Sequence, residues 1–123
     1  MKKILEFKEY DVFTTISDEE LLEMANISPN KTGLKDIFIW VGPNPHTHGR
    51  RIKVSNIPNK FSKDDCFTMT IPDFEIVGNP ADWITSKLIN DIKKFITLNM
   101  KLICDFSDEK ISTDELIDNL QKI

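Results

Sequence analysis

A chain of 123 residues, 40% hydrophobic and 29% charged, has the size and composition of one folded domain and excludes a disordered or collagen-like polymer. The net charge is −4, and the two cysteines form no C-x-x-C, so a zinc ribbon and a redox pair are both unsupported and free thiols are expected. No apolar run approaches the roughly 20 residues of a membrane helix, and Lys2 and Lys3 meet Glu6 with no apolar signal core, so a cytoplasmic protein without membrane contact is expected.

The first ten residues alternate weakly, as a short strand or an irregular arm would. Ser17 followed by Glu20 has capping-box spacing, and Leu21, Leu22, Met24 and Ala25 supply an apolar side, which predicts a helix over residues 18–25. Ser28-Pro29-Asn30 then favours a turn. Residues 36–41 are almost wholly β-branched or aromatic and predict a central strand, with Ile37, Ile39 and Val41 on one face and Phe38 and Trp40 on the other.

Residues 51–55 alternate, which places Ile52 and Val54 inward and Arg51, Lys53 and Ser55 outward on a half-exposed strand. Ile57-Pro58-Asn59-Lys60 reads as the next turn. Residues 67–71 alternate again with their threonines outward, and Pro72 requires a bend, a bulge or an edge before residues 74–77. Asn79 as N-cap, Pro80 at the first helical position and Asp82 in the first turn open an amphipathic helix predicted over residues 80–105. Ser112 with Glu115 opens a short final helix carrying Leu116, Ile117 and Leu120. Cys66 falls in a predicted strand and Cys104 in a predicted helix, Trp40 and Trp83 read as core anchors, and no internal repeat or linker divides the chain.

This order predicts a single α+β domain over residues 1–123. A small antiparallel sheet of three to four strands packs against one long C-terminal helix, with short flanking helices.

The chemistry-bearing side chains gather in one stretch. From Gly42 to Lys63 the chain carries Arg50, Arg51, Lys53, Lys60 and Lys63, both of its histidines (His46 and His48), and no carboxylate. Arginine forks match phosphates and carboxylates at two points, so His46, His48, Arg50, Arg51 and Lys53 are the candidate ligand-binding residues. They suit an anionic partner: a nucleic acid, a nucleotide-like ligand or an acidic protein surface. The expected function is a non-enzymatic binding module that needs no cofactor, with no catalytic or metal-ligating residue assigned.

Three other readings remain open. His46 and His48 would point the same way on an extended segment and could begin a metal site of a small hydrolase or nuclease, although no third ligand is fixed among Asp64, Asp65, Cys66 and Glu75. The protein could instead be an inhibitor or antitoxin-like partner acting through its helices, where the acids Asp105, Asp108, Glu109, Asp114 and Glu115 concentrate. The stretch could also be only a stiff loop whose cations deter edge-to-edge strand pairing.

Asn44-Pro45-His46-x-His48, and further on Ile92-x-x-x-Ile96-x-x-Asn99, resemble the Pro-Pro-His-x-His-Val strand entry and following helix of a family of small, uncharacterised bacterial proteins. The resemblance covers residues 36–103. It departs at Gly49-Arg50, where the family has a hydrophobic strand start. It implies an α+β fold and an accessory role of the toxin–antitoxin kind in a bacterium; the small size and lysine- and asparagine-rich composition also suit a phage or plasmid protein.

Overall fold

The computed structural model describes residues 24–42 and 50–123, and every structural statement below concerns these residues. In chain order the elements are β1 (Ala25–Ile27), α1 (Pro29–Thr32), β2 (Ile39–Val41), β3 (Arg51–Ser55), β4 (Cys66–Thr70), β5 (Ile76–Val77), α2 (Ser86–Leu98), α3 (Met100–Ser107) and α4 (Thr113–Asn119). The five strands form one antiparallel meander in sequence order, so the architecture is α+β with five strands rather than three or four. None of the helices is long and apolar enough to cross a membrane.

The register explains the two faces. Ala25, Val41, Ile52, Met69 and Ile76 lie in one row across the sheet, and Ile27, Ile39, Val54 and Phe67 share their face. That face is closed by Ile92, Phe95 and Ile96 of α2, Ile103 of α3 and Leu116 of α4, all fully buried in one apolar cluster. Ile37 joins this cluster, while Trp40 and Phe38 pack on the opposite side, as the alternation of residues 36–41 predicts. Pro72 follows β4 through a cis Ile71–Pro72 peptide, which forms the bend before β5.

The predicted 80–105 helix is two helices with a later start. Residues 79–83 are drawn off a helical path by Asn56, whose side chain donates to Asn79 O and accepts from Ala81 N, and whose carbonyl accepts from Trp83 Nε1. The N-cap is therefore Thr85, which accepts from Leu88 N, and not Asn79. At Asn99 (φ −108°, ψ 18°) the helix breaks, because the buried carboxamide turns to the C-terminal tail, donating to Gln121 O and accepting from Gln121 N. The final helix begins as predicted, with both halves of the Ser112–Glu115 capping box present.

Smaller differences have local causes. Ser28-Pro29-Asn30 enters the one-turn helix α1, with Pro29 at its start and Gly33 at φ +78° closing it. Ala25, the last residue of the predicted 18–25 helix, belongs to β1, and the rest of that helix, apart from Met24, lies outside the described residues, as does the predicted N-terminal arm.

Candidate functional site

The stretch between β2 and β3 has both of its flanks attached to the end of α3. Ser107, the last residue of α3, is buried and donates its hydroxyl to Gly42 O at 2.9 Å. Asp108, the C-cap, accepts from Arg50 at two points, Nε to Oδ1 at 3.2 Å and Nη2 to Oδ2 at 2.6 Å. This is a bidentate, charge-assisted fork made with the side-on edge of the guanidinium. Backbone pairing continues past the strand end, where Ile71 N donates to Arg50 O. The Arg50 side chain stays 37% exposed and that of Asp108 23% exposed, so the pair lies at the surface. The guanidinium is held protonated above its ordinary range, first by the hydrogen bond to Asp108, then by that carboxylate's charge, and then by Cys104.

His46 and His48 lie outside the described residues. The other candidates do not form one solvent-facing row. Lys53, expected outward, is fully buried. It sits mid-sheet, beside Trp40 on β2 and Thr68 on β4 in the register, and Thr68, also expected outward, is fully buried too. Alternation in a strand reports which residues share a face and not whether that face meets water. Here the second face is covered as well: Trp40 and Cys66 are buried in it, with Met24 and Phe38 packed against them. The Phe61 ring meets Trp40 edge-on, centroids 4.4 Å apart.

Ser55 is buried for a more local reason. Its hydroxyl donates to Lys60 O at 2.9 Å and accepts from Ile57 N at 3.2 Å, fastening the turn that follows β3. Arg51 is half-buried, Lys60 is exposed, and Arg51, Lys53 and Lys63 are each engaged in further contacts. The candidate site thus narrows to Arg50 and Arg51, adjacent in the chain but on opposite faces of the sheet, Arg50 toward Asp108 and Arg51 on the side of Lys53.

Asp108 and Ser107 are the members that sequence reading missed. In sequence Asp108 reads only as one of the acids concentrated in the C-terminal helices, yet it meets Arg50 across 58 positions of chain. No local spacing encodes such a contact. The one available signal was an arginine placed where a hydrophobic strand start was expected.

A shallow pocket of about 390 Å³ opens elsewhere, walled by Leu34, Trp83 and Leu88. Its rim carries Lys35 beside Asp36, and Lys87 bonded to Asp91 at 3.3 Å, so its charges balance and it offers no net attraction to an anion. Among the described residues no group of three His, Cys, Asp or Glu side chains converges as a metal site would require. Searches against protein-family models, curated proteins and solved structures return no match for this chain.

Proposed function

We propose that this chain is a non-catalytic binding module that holds an anionic partner where Arg50 and Arg51 enter β3. One observation carries the reading: a half-exposed guanidinium, fixed at a strand end, already grips an oxyanion by two parallel hydrogen bonds. A planar fork in that position recognises a carboxylate or a phosphate equally well. Lys53 is withdrawn from the reading, because an ammonium buried mid-sheet cannot meet a partner without opening the sheet.

The test pairs mobility shifts on short RNA and DNA with a pull-down from host lysate, using the native protein and the double variant Arg50→Glu, Arg51→Glu. The variant is expected to weaken the complex at least about tenfold, since it removes charge-assisted bonds and adds like-charge repulsion. Its melting temperature is measured alongside to separate lost binding from lost fold. Binding that survives the double reversal for every partner found refutes the assignment.

A second reading keeps the module and moves its surface to α4. Asp114 and Asp118 are exposed there and form no ion pair among the described residues. It predicts a basic partner whose binding ignores Arg50 and responds to Asp114→Lys with Asp118→Lys.

A further inference from the structure

The second face of the sheet is buried without a described helix to bury it. Trp40, Lys53 and Thr68 form a row across β2, β3 and β4, and they and Cys66 are at most 1% exposed. The buried apolar side chains of α2, α3 and α4 all belong to the cluster on the opposite face. Among the described residues, the apolar side chains against Trp40 and Cys66 are Met24, Phe38 and Phe61, none of them from a helix. The rest of the cover comes from residues outside the described set, either 1–23 or 43–49.

Two chemical demands choose between these segments. The first is charge. A fully buried ammonium needs a counter-charge or a set of acceptors beside it. The sheet places no carboxylate next to Lys53, whose neighbours along the row are Trp40 and Thr68, and beyond them Asn26 and Val77. Lys53 is nonetheless engaged in a further contact. The second demand is apolarity. The Trp40 indole N–H is buried and has no acceptor, so what lies over it is apolar side chain and not water.

Residues 1–23 carry both chemistries. Their acids are Glu6, Glu9, Asp11, Asp18, Glu19, Glu20 and Glu23, against Lys2, Lys3 and Lys8, and their apolar side chains include Ile4, Leu5, Phe7 and Phe13. Residues 43–49, Pro-Asn-Pro-His-Thr-His-Gly, have no acid and no large aliphatic side chain, and their flanks Gly42 and Arg50 are bonded to α3 and its C-cap. The chain also arrives at the right place. Met24 packs against Trp40 and Cys66 and leads into the edge strand β1. Lys53 lies two strands in from β1, roughly 10 Å, which about three to four extended residues span.

We infer that the second face of the sheet is the docking surface of the chain's own residues 1–23, with one of their carboxylates meeting the Lys53 ammonium. The sheet is then the middle of three layers. This inference stands apart from the anion-binding function, which is carried by the exposed Arg50 fork on the other side.

The experiment uses the full chain. Nuclear Overhauser contacts are measured from the Trp40 indole N–H and the Lys53 ε-methylene, and are expected to reach side-chain protons of residues 1–23. In parallel, amines are acetylated with acetic anhydride and mapped by mass spectrometry. Lys53 is expected to react at least about tenfold more slowly than the exposed Lys60. A variant with the seven acids replaced by their amides is expected to raise the Lys53 rate at least about tenfold and leave Lys60 unchanged, because a buried charge stripped of its partner opens its surroundings.

Overhauser contacts from both probes to residues 43–49 alone, or to described residues alone, overturn the inference. Contacts that appear only between differently labelled copies in a mixed sample assign the cover to a second copy and overturn it too. A Lys53 rate that the amide variant leaves unchanged overturns the pairing. If that variant loses its native circular dichroism, the seven acids are replaced one at a time; one replacement is expected to release Lys53, and release by none overturns the pairing.

Discussion

Asn56 is the side chain on which the late start of α2 depends, and its removal tests that account. The residue is 7% exposed. Its Nδ2 donates to Asp65 Oδ1 at 2.8 Å and Asn79 O at 3.2 Å, and its Oδ1 accepts from Ala81 N at 2.8 Å. Asn56→Ala deletes all three bonds and leaves the half-buried Ala81 N–H without an acceptor. At about 1 kcal/mol per bond, with the extra cost of a stranded donor, the expected loss is about 2–4 kcal/mol. For a chain of this size that lowers the melting temperature by roughly 6–16 °C. Thermal and urea unfolding followed by circular dichroism give the number. In a Trp40→Phe background, fluorescence reports separately on Trp83, whose indole bonds the Asn56 carbonyl. Asn56→Asp is the companion variant: it retains the acceptor for Ala81 N but loses both donations and sets a carboxylate against Asp65, so at neutral pH it is expected to recover little. A loss below about 1 kcal/mol for Asn56→Ala would mean that packing of Trp83 and Ile84 holds residues 79–83, and the hydrogen-bond account would fail.

Asn99→Ala removes the carboxamide that reads the Gln121 backbone in both directions, and is expected to raise hydrogen exchange at the Gln121 amide at least about tenfold while the α2 amides change less. Equal increases in both would make Asn99 a helix residue and not a tail clamp. Gly33→Ala is expected to cost about 1–2 kcal/mol in urea unfolding, because φ is +78° and an added Cβ would lie 2.7 Å from Ile123 O; the tail end can yield, so backbone strain is the larger part. Lys101→Met is expected to leave the melting temperature essentially unchanged, since the side chain is 89% exposed and its bond to Asp105 is screened. Asp105 raises the Lys101 pKa, so whatever the pair contributes is complete below the unfolded lysine value and lost only as pH rises past it, with no slope between about pH 6 and 9. A melting shift above roughly 4 °C, or a slope within that window, contradicts this.

Periodicity made the strands and the helix-facing core legible. The alternation of residues 36–41 and 51–55 assigned Ile37, Ile39, Val41, Ile52 and Val54 to the core they occupy. Ser112 with Glu115 marked a helix start because a capping box is local chemistry. Asn79-Pro80 carried the same kind of signal and was overridden, since a buried asparagine 23 residues earlier bonds the Asn79 carbonyl. The break at Asn99 was hidden likewise, its cause lying 22 residues away in the tail. The burial of Lys53 is not legible in the sequence, because a strand pattern assigns faces and says nothing of what covers them. At the candidate site, Arg50 could be picked out by residue type, but its partner could not, because an ion pair between distant positions leaves no trace in spacing.

The same facts change what the basic stretch can do at a distance. Counted along the chain, five cations without a carboxylate suggest a strong positive field. Counted in space, Arg50 faces a carboxylate oxygen at 2.6 Å and Lys53 is fully buried. If a single-stranded nucleic acid binds at all, the salt dependence of its affinity reports how many cations act together. Five phosphate contacts give a log–log slope of about −3.5, and two give about −1.4, at roughly −0.7 per contact. The arrangement around Arg50 and Arg51 requires the shallower slope, measured by anisotropy across a range of salt concentrations. A slope near the steeper value would mean that the stretch works as one cationic surface, and the narrowing of the site to these two arginines would be wrong.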